Sequence, residues 1–287
     1  KLNTDGSSML LLPMDAALRF NPAKDFHGEP GALSLRPLEL APKEWASSLK
    51  SYIPGHITVW ESHGRIFFKQ TASGSGEEGK AMQLATPGTY WNHQPRVAQL
   101  SEGRSLISWS GDGGGTDFSN EFHQGVYAQI INNDGSTNGE IIHIGYGWEN
   151  SIVGLDDGGF AVTWQSIGDM HMDEGIVLQR FNSDGTPFSE KITITDPGQG
   201  QHGWSPKLSK LNNGNWLVSY QGNDEDSGNS KVIAEVYGPI STNRINRLDL
   251  GEPPNNWWQN PGPMPMPNGG FVLLGRGETG ATEVRLY

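Results

Sequence analysis

One spacing constrains this chain more than any other feature: a Leu followed nine residues later by an aromatic, recurring about every 55 residues. Leu100 leads to Trp109 through LSEGRSLISW, Leu155 to Trp164 through LDDGGFAVTW, and Leu211 to Tyr220 through LNNGNWLVSY. Met266 leads to Gly275 through MPNGGFVLLG, a degenerate last copy, and the steps are 55, 56 and 55 residues. A further copy lies upstream. EWASSLKSYIPGHITVWES (44–62) matches GWSPKLSKLNNGNWLVSYQ, with Trp45 opposite Trp204 and Trp60 opposite Tyr220. A period of this length marks a repeated supersecondary unit, and the unit must be identified before any site is sought.

Within one copy the pattern predicts four strands, here called a to d. In the second copy PRVAQL is a, SLISWS is b, GVYAQIIN is c and GEIIHI is d. Alternation of apolar and polar residues predicts half-buried strands. INNDGST (131–137) and FNSDGTP (181–187) fall between c and d, and their Asp-Gly pairs suit tight hairpins. Five such copies predict an all-β chain: a five-bladed β-propeller of four-stranded blades. A β-sandwich has no reason to keep a 55-residue period, and a solenoid would repeat at shorter steps. The expected blades span roughly 45–87, 91–145, 146–197, 202–251 and 256–287. The last copy ends at TEVRLY without a strand d. GALSLRPLELAPKEW (31–45) resembles NRINRLDLGEPPNNWW (243–258), so residues 32–40 are expected to complete the last blade and close the ring. Residues 1–31 are then a lead-in segment, and 32–287 the propeller.

Composition narrows the function classes. The 287 residues include 39 Gly and 18 Pro, which favours short strands joined by turns. A net charge of −12 disfavours nucleic acid and anionic membranes as partners and suits divalent cations. There is no cysteine, hence no disulfide framework and no thiolate chemistry. No apolar run is long enough to span a bilayer. The start at Lys1 without a charged-then-apolar leader reads as a fragment of something longer, a monomeric module within it.

The repeats PRVAQLSEGRSLISWSGDG and LDDGGFAVTWQS…GIVLQRFNSDGTPF resemble those of very large type I-secreted RTX adhesins of Gram-negative bacteria. LLLPMDAALRFNPAKDFHGEPGALSLR (10–36) is similar to the cadherin-like or VCBS-type extender segments of the same proteins. The resemblance implies an extracellular, bacterial cell-surface location, calcium-dependent folding and a role in attachment.

Propeller geometry puts the d–a and b–c connections on one face. The d–a connections are aromatic: PGTYWNHQP, GYGWENS, GQGQHGWSP and PPNNWWQNPGP. They offer Tyr90, Trp91, His93, Tyr146, Trp148, Glu149, Asn150, His202, Trp204, Asn256, Trp257 and Trp258 as ligand contacts. Indole faces stack on sugar rings while amides and carboxylates take the hydroxyls, so the expected ligand is a glycan bound without catalysis. Trp109 and Trp164 end strand b and are expected in the core; Trp148 and Trp204 fit packing and contact equally. The b–c connections are acidic, and Asp112, Asp117, Asp169, Asp173, Glu174, Asp224 and Asp226 are candidate Ca²⁺ ligands, although none matches an EF-hand or nonapeptide repeat. His93 and His202 occupy matching positions, but a zinc site would need further close ligands.

Two other classes stay open. Aromatic loops also grip peptides, which gives a protein-binding module. Five-bladed propellers also carry glycoside hydrolases, whose two carboxyl groups face each other across the scissile bond. In the expected innermost strands PRVAQL, SIVGL, SPKLSKL, GPMPMP and SSLKSY there is no Asp or Glu, and Glu44 and Glu149 fall in connections. The sequence therefore predicts a non-enzymatic adhesion module.

Overall fold

The computed structural model describes residues 8–11, 17–20, 56–71, 79–86, 92–111, 125–167, 173–196, 201–223, 230–238, 243–250, 262–276 and 282–287. These residues are all-β apart from one 3-10 turn at Ser101–Gly103. Strands β1 (Ser8–Leu11) and β2 (Ala17–Phe20) form a separate antiparallel hairpin.

Five antiparallel units follow in chain order. The first comprises β3 (His56–Ser62), β4 (Arg65–Thr71) and β5 (Met82–Gln83). The second has β6 (His93–Gln99), β7 (Ser105–Gly111), β8 (Gly125–Ile131) and the first part of β9 (Thr137–Gly154). The third has the second part of β9, then β10 (Phe160–Ile167), β11 (Asp173–Phe181) and β12 (Ile192–Thr193). The fourth is β13 (Gly203–Lys210), β14 (Trp216–Asn223), β15 (Ser230–Tyr237) and β16 (Arg244–Asp249). The fifth is β17 (Met264–Pro265), β18 (Phe271–Arg276) and β19 (Thr282–Leu286). The middle of β9 was expected to be a loop. It is instead one 18-residue strand, and it fuses the second and third units into a seven-stranded sheet.

The repeat period is visible in the turns. Leu155 N–H donates to Gly159 O (2.9 Å), Leu211 N–H to Asn215 O (2.7 Å) and Met266 N–H to Gly270 O (2.8 Å). The recurring Leu or Met is thus the residue that enters the a–b hairpin. Three residues beyond it the backbone turns left-handed (φ 86° at Gly158, 83° at Gly214, 88° at Gly269), which Gly adopts without strain. The Asp-Gly pairs behave alike: Ser136 N–H and Thr186 N–H each donate to the Asp two residues earlier, at 2.9 Å. The Ser136 and Thr186 hydroxyls, with these backbone bonds, hold the Asp134 and Asp184 carboxyls below their usual range.

The core lies between units. Leu100, Leu106, Val126 and Ile130 of the second unit pack against Phe160, Val162, Trp164 and Phe181 of the third. Ala161, Ile176 and Leu178 of the third meet Trp216, Val218, Tyr220 and Ile233 of the fourth. Ile66, Phe68 and Leu84 meet Ile107, Trp109 and Tyr127, and Leu211, Leu217 and Val232 meet Phe271 and Leu273. Neighbouring residues of one strand therefore serve different cores: Leu106 faces forward and Ile107 back. This follows from the two-residue side-chain period of a strand. It also corrects the half-buried expectation, because β7, β8 and β10 are buried on both faces. Trp109 and Trp164 are fully buried, as expected of them.

The leading strands converge. β6 packs on β9, β9 on β13 and β13 on β17, with β3, which the repeat aligns with the second strand of the other units, set against β6, so the units curl about one side. Ser209 Oγ donates to Pro263 O, and Asn212 Nδ2 donates to Met266 O (2.7 Å), tying the fourth unit to the fifth.

Candidate functional site

Counting back from the recurring Leu aligns the leading strands residue by residue. Seven before it stand His93, Trp148 and Trp204. Six before it stand Gln94, Glu149 and Ser205, and four before it Arg96, Ser151 and Lys207. The middle column shares an uncommon backbone. Gln94, Glu149 and Ser205 have φ of 52°, 54° and 50°, left-handed values that non-glycine residues adopt rarely and at a cost. The pairing register slips at the same place in these three units: between Trp204 and Lys207 on β13, between His93 and Arg96 on β6, and opposite Thr163–Gln165 on β9. These are β-bulges, which re-aim side chains and recur beside functional sites.

Three successive bulges place their side chains at the end of the units where the leading strands converge. Glu149 reaches across to the next unit, where its Oε2 accepts the Ser205 N–H at 2.8 Å. One step along, Ser151 Oγ accepts the Leu208 N–H at 3.0 Å. Arg96 is open to solvent, and its Nη1 lies 3.4 Å from Pro95 O. Lys207 is half-buried, with Nζ 3.4 Å from Pro206 O. Both cations thus fold back on the carbonyl of their own bulge. Surrounding protein desolvates Arg96 and lowers its pKa, and the Glu149 charge opposes that. Lys207 is lowered by burial first and the Arg96 charge second, with Glu149 again opposing.

The structure treats the expected aromatic and polar contacts unequally. Trp148 is half-buried and its Nε1 donates to Gln165 Oε1 at 3.2 Å. Trp204 is half-buried and stacks on His202, ring centroids 6.2 Å apart. Tyr146 is 41% exposed and meets His143 edge-on. Asn150 is fully buried between Ser108 and Ser110 of β7, so it fastens the strand instead of facing a ligand. His93 is half-buried; burial lowers its pKa, and the nearby Glu61 carboxylate pulls the other way. Tyr90, Trp91, Asn256, Trp257 and Trp258 lie outside the described residues.

The proposed calcium ligands Asp112, Asp117, Asp169, Asp224 and Asp226 lie outside them too. Asp173 and Glu174 open β11. Among the described residues there is no group of three or more His, Asp or Glu that could hold a metal ion.

Gly147 makes the approach of β9 to β10 possible. Its φ is 134°, and a Cβ there would run into the Gln165 carbonyl oxygen and approach Trp164 at 3.0 Å. Gly147→Ala is expected to destabilise the chain by about 2–3 kcal/mol through strain and overpacking, read from denaturant midpoints. Retained stability would mean that β9 leaves β10 at this point.

The one carboxylate on the converging strands was missed by sequence reasoning as a strand residue. Among 93–99, 145–154, 203–210 and 264–265, Glu149 is the only Asp or Glu. It had been expected in a loop, and the inner strands had been expected to lack acids. Arg96 and Lys207 were not singled out. The signal available was the column itself, since both stand four residues before the repeat Leu.

No family model matches this chain, and no curated protein matches it. Solved structures do. An endo-arabinase from Bacteroides thetaiotaomicron has a TM-score of 0.44 at 12% identity, over 81% of this chain and 88% of its own. A xylan beta-1,4-xylosidase from Bacillus halodurans has a TM-score of 0.43 at 11% identity, over 81% of this chain and 50% of its own. A Hadza microbial sialidase has a TM-score of 0.45 at 12% identity, over 79% of this chain and 53% of its own. The chain thus spans about half the length of two of the three. Each of these similar structures is named as an enzyme, and that finding corrects the expectation of a non-catalytic, lectin-like adhesion module.

Proposed function

We propose that this chain is a glycan-cleaving module, a glycoside hydrolase built on a closed five-bladed propeller, working outside the cell. The observation that carries the reading is Glu149: a single carboxylate, set on the strand row where the units converge, on a bulge that aims it at its neighbour. Hydrolysis of a glycosidic bond commonly uses two carboxyl groups, one to protonate the leaving oxygen and one to activate water or attack the sugar. Glu149 accepts a backbone N–H from the next unit, which holds its carboxyl group in place to serve as one of that pair.

The second carboxylate, among the described residues, is Glu61 at the end of β3. It is exposed, its Oε1 accepts the Gly64 N–H at 3.0 Å, and its charge reaches His93 on the next unit. Glu61 stands immediately after the repeat aromatic Trp60, as Gln165 follows Trp164 and Gln221 follows Tyr220. That alignment supports its placement at the same end of the units as the bulges. Half-buried Trp148 and Trp204 flank Glu149 and offer ring faces to a sugar.

Release of new reducing ends from arabinan, xylan, a β-1,3-galactan and acidic plant or microbial polysaccharides tests this. Turnover of at least one polymer is expected. Absence of turnover across neutral and acidic polymers, with binding retained, would overturn the reading.

A further inference from the structure

The chain is strongly acidic, yet the leading strands 93–99, 145–154 and 203–210 carry three cations, Arg96, Lys207 and Lys210, and one carboxylate, Glu149. Among the described residues neither Arg96 nor Lys207 forms an ion pair, whereas Arg180, Lys210, Lys231, Arg244 and Arg247 each do. The nearest anion, Glu149, uses its Oε2 on the Ser205 N–H. The two cations stand in the same column of the repeat, one on the second unit and one on the fourth, and β9 with Glu149 packs between their strands. The position between them on the third unit is Ser151, a small side chain already turned to Leu208 N–H. So the arrangement is two cationic residues at matched register, a carboxylate on the strand between theirs, and a small residue at the intervening position of the same column.

A site of net positive sign in a chain of charge −12 calls for an anion from outside. The Arg96 guanidinium offers a planar fork of donors that matches a carboxylate, and Lys207 adds a point charge. We propose that Arg96 and Lys207 form the receptor for the carboxylate of an acidic sugar residue, a uronate unit of the glycan, bound next to Glu149. This rests on the hydrolase reading and narrows its substrate to polymers containing uronic acid. The Lys207 pKa, lowered first by burial and then by the Arg96 charge, is in keeping with that shared column. A uronate carboxylate would relieve that repulsion, and its sugar ring would lie within reach of the indoles of Trp148 or Trp204.

The test measures binding by calorimetry with the full chain carrying Glu149→Gln, so that turnover does not intrude. Three probes of equal length are compared: an oligogalacturonide (carboxylate only), a κ-carrageenan oligosaccharide (sulfate only) and a xylo-oligosaccharide (neutral). The oligogalacturonide is expected to bind tightest. Adding Arg96→Gln or Lys207→Met is expected to weaken it about tenfold or more each, the scale of a lost charge-assisted hydrogen bond. Lys80→Met, an exposed charge on the first unit, removes the same formal charge and is expected to leave the affinity unchanged. Tightest binding of the sulfated probe, equal binding of the neutral one, or an equal loss with Lys80→Met would each overturn the proposal. The hydrolase reading is judged separately: turnover of neutral polymers with no preference for uronate would sink the receptor and keep the enzyme. Uronate-selective binding with no turnover by the unsubstituted chain would do the reverse.

Discussion

Glu149→Gln is expected to lower reducing-end release by about 10²- to 10⁴-fold, the span usually supplied by a positioned acid or base. The substitution is chosen because it changes little else. A glutamine keeps the length of the side chain, and its Oε1 can still accept the Ser205 N–H that Glu149 holds at 2.8 Å. The left-handed backbone of residue 149 is unchanged in demand, since glutamine and glutamate meet the same steric cost there. What disappears is the anion. Thermal unfolding of the variant should therefore match the unsubstituted protein while turnover collapses. A second variant sharpens the result: Glu149→Asp keeps the charge but withdraws it by one methylene, which breaks the reach to Ser205, and its loss should fall between the two. If Glu149→Gln keeps its rate within about threefold, the carboxylate takes no part in the chemistry.

Glu235→Ala should cost stability and not chemistry, about 3–5 kcal/mol from loss of one partner in a buried ionic network. Glu235 is 2% exposed on β15. Its oxygens take the Tyr220 hydroxyl (3.1 Å), the Tyr237 hydroxyl (2.7 Å) and Arg244 Nη1 (3.0 Å), with Arg247 Nε at 3.6 Å. Removing the carboxylate leaves two buried phenols without an acceptor, and unmatched buried donors carry the full desolvation penalty. The arginines, at 51% and 42% exposure, can turn to water and soften the effect. Glu235→Gln keeps one acceptor oxygen and should cost less. The same network fixes an alkaline limit. Burial, then the Glu235 charge, raises the pKa of Tyr220 and of Tyr237. Each is protonated in the folded protein at a pH where it ionises in the unfolded chain. The stability they contribute is complete below about pH 10, the unfolded value, and is lost as pH rises above it. A denaturant midpoint that held steady from pH 9 to 11, as approximate bounds, would contradict this.

The repeat made the frame legible and hid the site for one physical reason. Leu100, Leu155 and Leu211, like Trp109, Trp164 and Tyr220, are all buried where the 55-residue steps put them, because core positions obey a fixed strand period. Asp134 and Asp184 turn where Asp-Gly pairs predict, because that chemistry is local. A bulge breaks the period by one residue, and left-handed φ at Glu149, Gln94 and Ser205 has no glycine to announce it. GYGWENS therefore reads as a loop, and with it Glu149 drops out of the strand that carries it. The double-sided burial of β7 and β10 was likewise muted. Their sequences keep Ser and Thr at buried positions, where Ser108 and Thr163 hydrogen-bond to Asn150 and to the Val177 carbonyl.

β9 binds two units in a way the other junctions do not show. Elsewhere among the described residues, successive units touch through side chains and single bonds between strands of separate sheets. Between the second and third units the backbone ladder itself runs through, from Ile131–Thr137 to Phe160–Gly154. A continuous strand of this kind is expected to couple the two halves, so that their amides exchange as one cooperative block in hydrogen-exchange measurements. Glu149 lies in the middle of that block, so the carboxylate proposed to meet the sugar is set on a strand that is laddered on both sides of it.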